Sequence, residues 1–348
     1  MADAPKPASE DTVHEAHGCR MPDPYAWLRT ANWQEALKDP AKLDTAITAH
    51  LEAENAYTED VLAPVQGLRE HLKSELRGRI KERDATVPLA DGPYAYYLRY
   101  AEDQQHPLYC RCPAGSEGAH EEVLLDANAA AQGQPFFKVG ATAHSPDHGL
   151  FAYSVDLTGS EYHRLRIRDL RDGGEHDLGV TDAQGDFVWS NDGQQLVYTA
   201  LDDHHRPNRV YRIARDGSTA ARVYAESDPA FYLGVTKTAS RRFIVIAGAD
   251  HSDTAEAHLL DAADPSAPPI CVKARETGLD YEVAEHDGRL ILLTNQGGAQ
   301  DYKIVAAPLE RPDDPAAWTE IVPHRPGVLI KDVIVRRNHL RSEERRVG

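Results

Sequence analysis

The stretch NDGQQLVYTA, residues 191–200, decides the fold, because the pattern it contains returns along most of the chain. A polar turn, Asn191-Asp192-Gly193, runs into the apolar strand Leu196–Ala200. The same order occurs at Asp91-Gly92 before YAYYLRY and at Ser145-Pro146-Asp147 before LFAYSVD. It occurs again at Ala239-Ser240-Arg241 before FIVIAG and at His286-Asp287-Gly288 before LILLT. A polar loop and a further strand follow each copy, around Leu108, Leu165, Val210, Leu259 and Ile304. The turns recur about every 50 residues, and a roughly constant offset of about 18 residues separates each turn from its further strand. A repeat of that length with several strands in it predicts a β-propeller, whose blades are four-stranded sheets. A jelly roll or an immunoglobulin sandwich predicts no such fixed internal offset.

The strand compositions agree with blades. FIVIAG and LILLT are apolar at consecutive positions, as a strand covered on both faces must be. HRLRIRDL alternates, with Leu165 and Ile167 on one face and arginines on the other, as expected nearer a rim. A sixth turn falls due at Asn338-His339, yet Leu340 is followed by RSEERRVG where an apolar strand is expected. The reading is that the repeat breaks off in mid-hairpin and that residues 341–348 are a non-native tail.

Residues 1–75 read differently. Leu43, Ile47, Leu51, Tyr57 and Val61 recur at helical spacing, Pro64 interrupts, and Val65, Leu68, Leu72, Leu76 and Ile80 form a second apolar stripe. Two amphipathic helices with a break at the proline are expected, preceded by an irregular anchor at DPYAWLR (23–29).

The 348 residues carry a formal charge of −18, with 41% hydrophobic and 27% charged positions. This balance suits a soluble globular protein and argues against nucleic-acid binding, which needs a basic face. No apolar run approaches the roughly 20 residues needed to span a bilayer, and the N-terminus lacks the pattern of a secretory signal. Cys19, Cys110, Cys112 and Cys271 are too sparse for a disulfide framework, so a reduced, cytoplasmic protein is expected.

Motifs that carry chemistry are missing. No G-x-S-x-G, H-E-x-x-H, P-loop or G-x-G-x-x-G occurs. Gly115-Ser116-Glu117-Gly118 has the wrong spacing for a nucleophile elbow, and Ser145 belongs to a blade turn. His106, Cys110 and Cys112 do not complete a tetrahedral metal site, because no second pair accompanies them. His204, His205 and His251 fall in loops with Asp202, Asp203, Asp250 and Asp253. Those acids either attract a basic peptide or form an ordinary solvated rim. No catalytic, cofactor-binding or metal-binding residue is assigned.

Longer strings carry a family resemblance. HGCRMPDPYAWLR (17–29), HLEAENAYTEDVLAP (50–64), GRIKERDATVPLADGPYAYYLRY (78–100), PLYCR (107–111), FFKVGATAHSPDHGLFAYSVDLTG (136–159), FYLGVTKTASRRFIVIAG (231–248) and VPHRPGVLIKDV (322–333) resemble the oligopeptidase B group of the prolyl oligopeptidase family of serine peptidases. The likeness runs from His17 to Leu340. It implies an N-terminal helical segment (1–75) that packs on a C-terminal α/β-hydrolase domain absent from this chain. It also implies a seven-bladed propeller of which residues 76–340 supply about five blades and the start of a sixth. The Ser-Asp-His triad would lie beyond the chain end, and no position here matches it. The whole enzyme would cleave short peptides after Arg or Lys, with the propeller screening substrates by size. A non-catalytic propeller scaffold, and a prolyl oligopeptidase or acylaminoacyl peptidase specificity, are the alternatives.

Overall fold

The computed structural model describes residues 3–116 and 118–346. They form two compact units, residues 1–135 and 136–348. The boundary expected near residue 75 therefore falls inside the first unit.

The first unit begins with a hairpin that the hydrophobic pattern did not announce, β1 (Val13–Ala16) paired with β2 (Cys19–Pro22). DPYAWLR is less irregular than expected, since Ala26–Leu28 make a 3-10 turn and the Trp27 indole donates to the Ala8 carbonyl at 2.7 Å. The short helix α1 (Trp33–Lys38) follows. Helix α2 (Thr45–Leu62) starts where the Asp44 carboxylate accepts the Ala46 N–H, a standard N-cap. It gives way to a 3-10 turn, Ala63–Val65, at Pro64, whose nitrogen has no proton to donate. Helix α3 (Gln66–Gly78) then carries the second apolar stripe as far as Leu76, while Ile80 lies past its end. This stripe faces solvent: Leu68 is 56% exposed and Leu76 60%. The unit closes with a four-stranded meander, β3 (Leu89–Asp91), β4 (Tyr94–Arg99), β5 (Leu108–Pro113) and β6 (Glu122–Asp126), and the short helix α4 (Ala127–Ala131).

The second unit holds four more four-stranded antiparallel meanders. They are β7–β10 (Lys138–His144, Leu150–Asp156, Arg164–Asp169, Glu175–Asp177) and β11–β14 (Ala183–Trp189, Gln195–Leu201, Pro207–Ala214, Ala220–Ala225). Next come β15–β18 (Tyr232–Lys237, Phe243–Ala249, Ala255–Asp261, Ile270–Lys273) and β19–β22 (Tyr281–His286, Arg289–Thr294, Lys303–Pro308, Thr319–Val322). Five four-stranded sheets in series are the blades that the repeat predicts, but the phase of the repeat is corrected by one strand. Each turn signal joins a sheet's first and second strands rather than opening the sheet. The strand read as first is thus the second, covered on both faces and therefore the most apolar. The true first strands, such as β11, alternate buried with less buried residues and escaped notice.

The second strands hold the unit together. In β12, Leu196 and Tyr198 enter the core shared with β7–β10, while Val197 enters the core shared with β15–β18. In β16, Ile244 and Ile246 face back into that second core, and Phe243 and Val245 face forward into the next. In β20, Leu290 and Leu292 point one way and Ile291 and Leu293 the other. Each of β12, β16 and β20 thereby joins two cores, one on each face of its sheet.

The turns repeat a device. The Ser145 hydroxyl accepts the Leu150 N–H at 2.9 Å, Ser190 accepts that of Gln195 at 3.0 Å, and Thr238 accepts that of Phe243 at 3.1 Å. In β19–β20 the Glu285 carboxylate takes the role, accepting the Gly288 N–H at 2.8 Å. Each partner satisfies a turn N–H, and at Leu150 and Phe243 the residue is buried, so water cannot take that place.

The last element is a hairpin that runs on past Leu340. Residues 339–346 continue the hairpin, with β24 (His339–Arg346) paired along β23 (Val328–Arg336) as far as Arg346 against Val328. Charge does not prevent pairing here because the strand lies in the open. Arg341, Glu343, Glu344, Arg345 and Arg346 are all exposed, and Arg325 pairs with Glu344.

Candidate functional site

The residues singled out from the sequence divide into turn, core and loop positions. Ser145 is 1% exposed, and its hydroxyl donates to Asp147 at 2.5 Å while accepting from Leu150. The neighbouring His144 ring contacts the Ser145 carbonyl, not its hydroxyl. This serine is a turn staple. The Ser116 hydroxyl donates to the Ala119 carbonyl at 3.0 Å, and Glu117 lies outside the described residues. His106 is bound through its backbone to the Asn128 side chain in both directions.

Cys110 and Cys112 point to one side of β5 and are buried, as sulfur on a core strand tends to be. Burial first, and then the Glu121 carboxylate, pushes the Cys110 thiol up to about 11. A thiol so poorly ionised is a weak nucleophile and a weak metal ligand. Among the described residues no three His, Cys, Asp or Glu side chains are arranged to hold a metal ion.

The acidic loops are occupied by their own backbone. Asp202 accepts the N–H groups of His204 (2.9 Å) and Arg206 (3.0 Å) and pairs with the Arg206 guanidinium. Burial opposes its charge, but those bonds hold the carboxyl below the usual range. Asp250 accepts from Ser252 and Thr254, and those bonds lower its carboxyl likewise. The fully buried Asp156 accepts from Thr158, Gly159 and Glu161 at 2.8–2.9 Å. The sequence reading passed over this last residue. Its signal was available, since SVD, ALD and GAD put an aspartate at or just past the end of the second strand in three consecutive sheets. Asp203, His204, His251 and Asp253 remain on the exposed side of these loops, with the His251 ring 5.1 Å from that of Tyr232. His205 instead turns inward, its Nε2 2.6 Å from the Ser160 carbonyl oxygen.

Charged groups that no motif flagged sit at the junctions between sheets. Arg275, after β18, bonds Glu226 of the preceding sheet at 2.5 Å and Glu256 of its own at 3.2–3.3 Å, and its guanidinium stacks 3.8 Å from the Phe231 ring centre. Asp186 on β11 reaches to β15, accepting the Val235 N–H at 2.8 Å and the Thr199 hydroxyl at 2.9 Å with one oxygen. Its other oxygen is buried without a hydrogen-bond partner. Burial raises this carboxyl, and the hydrogen bonds offset only part of the effect. Glu282 on β19 is raised too, by burial and then by Asp332 and Asp280.

The Asp186 geometry has a testable sign. A carboxyl whose pKa is higher folded than unfolded favours folding below its unfolded pKa, and this advantage is lost as pH rises through the folded value. Asp186→Asn keeps an oxygen for Val235 and Thr199 and removes the buried charge. The variant is expected to be more stable than the parent near neutral pH by on the order of 1 kcal/mol, with the gain vanishing below about pH 4. Urea denaturation at the two pH values measures it.

Serial four-stranded antiparallel meanders, with second strands that in the second unit feed a core on each face, define a propeller domain. The family model for the prolyl oligopeptidase N-terminal β-propeller domain matches residues 5–348, and the chain belongs to that family. Among curated relatives, dipeptidyl aminopeptidase BI of Pseudoxanthomonas mexicana is 31% identical over 339 residues, covering 92% of this chain and 45% of that protein. Protease 2 of Moraxella lacunata is 29% identical, covering 85% of this chain and 42% of that protein. Among solved structures, oligopeptidase B from Leishmania major matches with a TM-score of 0.88 at 29% identity, covering 99% of this chain and 50% of the other. Oligopeptidase B from Trypanosoma brucei, with covalently bound antipain, matches with a TM-score of 0.81, also at 29% identity, covering 98% of this chain and 51% of the other. The chain thus spans less than half the length of these curated relatives. No helix among the described residues is long and apolar enough to cross a membrane.

Proposed function

We propose that the chain is the propeller-bearing part of an oligopeptidase B-like serine endopeptidase, acting in the cytoplasm on short peptides with preference for Arg or Lys before the scissile bond. The observation that carries the reading is the match to oligopeptidase B along 99% of the chain. In this reading a C-terminal α/β-hydrolase domain supplies the serine, its histidine base and the oxyanion hole. The propeller contributes exclusion: rigid blades admit a flexible peptide and refuse a folded protein. The open stripe of α3, with Leu68, Leu72 and Leu76, supports it, because an apolar helix face of that kind needs a partner surface. The unpaired thiols of Cys19, Cys110, Cys112 and Cys271 fit a reducing compartment.

Residues 1–348 alone are expected not to cleave an Arg-Arg fluorogenic peptide above background, and joining them to the catalytic half of a relative is expected to produce turnover. Turnover by 1–348 that a serine-directed inhibitor abolishes would overturn the assignment of catalysis to another domain. A joined enzyme that cleaves after proline but not after Arg or Lys would overturn the specificity.

A further inference from the structure

We propose that His163 is an acid-released latch that holds the sheet β7–β10 against the sheet β11–β14. The residue directly precedes β9 and bridges to Ala183 at the start of β11, its N–H donating at 2.8 Å and its carbonyl accepting at 3.2 Å. It is 6% exposed, and neither Nδ1 nor Nε2 has a hydrogen-bond partner among the described residues. The ring sits in a slot between two glycines. A Cβ on Gly140 would stand 2.9 Å from its Cδ2 and Nε2, and one on Gly185 would stand 3.3 Å from its Cε1 and Nδ1. Gly140 lies in the register break of β7 and Gly185 in that of β11, so the ring enters where both first strands interrupt their pairing. The neighbouring Ser154 hydroxyl is already engaged, donating to the Gly185 carbonyl at 2.7 Å and accepting the Ala141 N–H at 2.8 Å.

The slot suits a neutral ring and not a charged one. An imidazolium carries two N–H donors and a charge, and burying them without acceptors is costly. From β8, Asp156 favours the charge, but its carboxylate is committed to the N–H groups of Thr158, Gly159 and Glu161. From β7, Lys138 opposes it. The Glu161 and Ala183 carbonyls favour it, yet neither is in hydrogen-bonding geometry with a ring nitrogen. On β11, Asp186 spends its bonds toward β15, and on β9 Arg164 pairs with Asp177. Burial outweighs Asp156 and holds the imidazole below its ordinary value. The latch is therefore closed above the unfolded histidine value, about 6.5, and is released as pH falls below it. Release carries off the bridge to Ala183. The Tyr162 hydroxyl still donates to the Asp202 carbonyl at 2.9 Å, and the His205 Nε2 still lies 2.6 Å from the Ser160 carbonyl oxygen, so acid loosens one joint and leaves the loop attached.

Hydrogen–deuterium exchange of the 348-residue chain, read on peptides by mass spectrometry and corrected for the intrinsic effect of pH, tests the latch. From near pH 6.5 to near pH 5.5, opening of segments 139–142 and 183–187 is expected to rise about five-fold, the value for one proton bound only in the open state. Opening of β20 is expected to change by less than about two-fold over the same interval. His163→Phe keeps an aromatic ring for the slot and removes both nitrogens, so the acceleration should vanish. His205→Asn removes the other histidine of this junction at a positive-φ position that asparagine tolerates, and there the acceleration should persist. Exchange in the parent that is equal at the two pH values, or that rises as much in β20, would overturn the proposal. So would an acceleration that survives His163→Phe or is lost in His205→Asn. If His163→Phe does not fold, the parent and His205→Asn decide between the same outcomes.

Discussion

Arg275→Met is expected to destabilise the chain by about 3 kcal/mol, the low end for breaking a buried ion pair because the arginine is partly exposed. The variant leaves Glu226, whose side chain is only 4% exposed, and Glu256, at 13%, without their counter-ion. Arg275→Lys is expected to recover little of the loss. One ammonium cannot bond two carboxylates from different sheets and also stack on Phe231 as the planar guanidinium does. Replacing all three charges, by Arg275→Met with Glu226→Gln and Glu256→Gln, should restore much of the stability, because most of the single-variant cost is the stranded charge. The pH dependence has a definite sign. Burial works against the Glu256 carboxylate, but Arg275 outweighs it and holds the pKa below the unfolded value. The stabilisation is therefore present above the unfolded pKa and is lost as pH falls through the folded one. The gap between parent and Arg275→Met, read from denaturant midpoints, should narrow below about pH 4. A gap that is constant or widens in acid would show that packing, not charge, sets the cost.

Leu292→Ala is expected to cost about 2–5 kcal/mol, the range for truncating a fully buried leucine in a core that relaxes only partly. Leu292 is 0% exposed and sits among Val245, Leu290 and Val305, in the core where β16 and β20 meet. Leu72→Ala is the informative control. The side chain is an identical leucine on an apolar stripe, but the residue is 46% exposed on α3, so the change should move the stability of 1–348 by no more than about 0.5 kcal/mol. If α3 docks on a hydrolase domain as proposed, the same substitution should become costly once that domain is attached. A Leu72→Ala variant equally silent in both contexts would remove the support that α3 gives to the proposed architecture. Thermal or urea melts of the four proteins decide the matter.

Much of the propeller was legible because its second strands are buried on both faces. FIVIAG and LILLT are apolar without interruption for that reason, and the turn before each is polar because it emerges at the edge of the sheet. The first strands were missed for the complementary reason. Only every other residue of β11 is buried, so a window tuned to continuous apolar runs passes over it and shifts the repeat by one strand. The charged run RSEERR was read as a break, on the premise that a strand after such a turn must be buried. β24 pairs while exposed, and hydrogen-bonding of the backbone does not require an apolar side chain.

The sequence by itself determined the repeat, the helical leader and the lack of any local motif for catalysis, all properties of spacing along one chain, and its longer strings carried the family resemblance. Only the tertiary structure decided the roles of the charged residues. Asp202 and Asp250 appear from the sequence as open acids at a rim, and folding spends their oxygens on loop backbone a few residues away. Arg275 and Glu226 lie 49 positions apart and meet because consecutive sheets stack face to face. Asp186 meets Val235 across the same kind of junction, and Lys237 meets Trp189 there as well. Local pattern records which face of a strand is covered, whereas the partner of a charge is fixed by which sheet comes next.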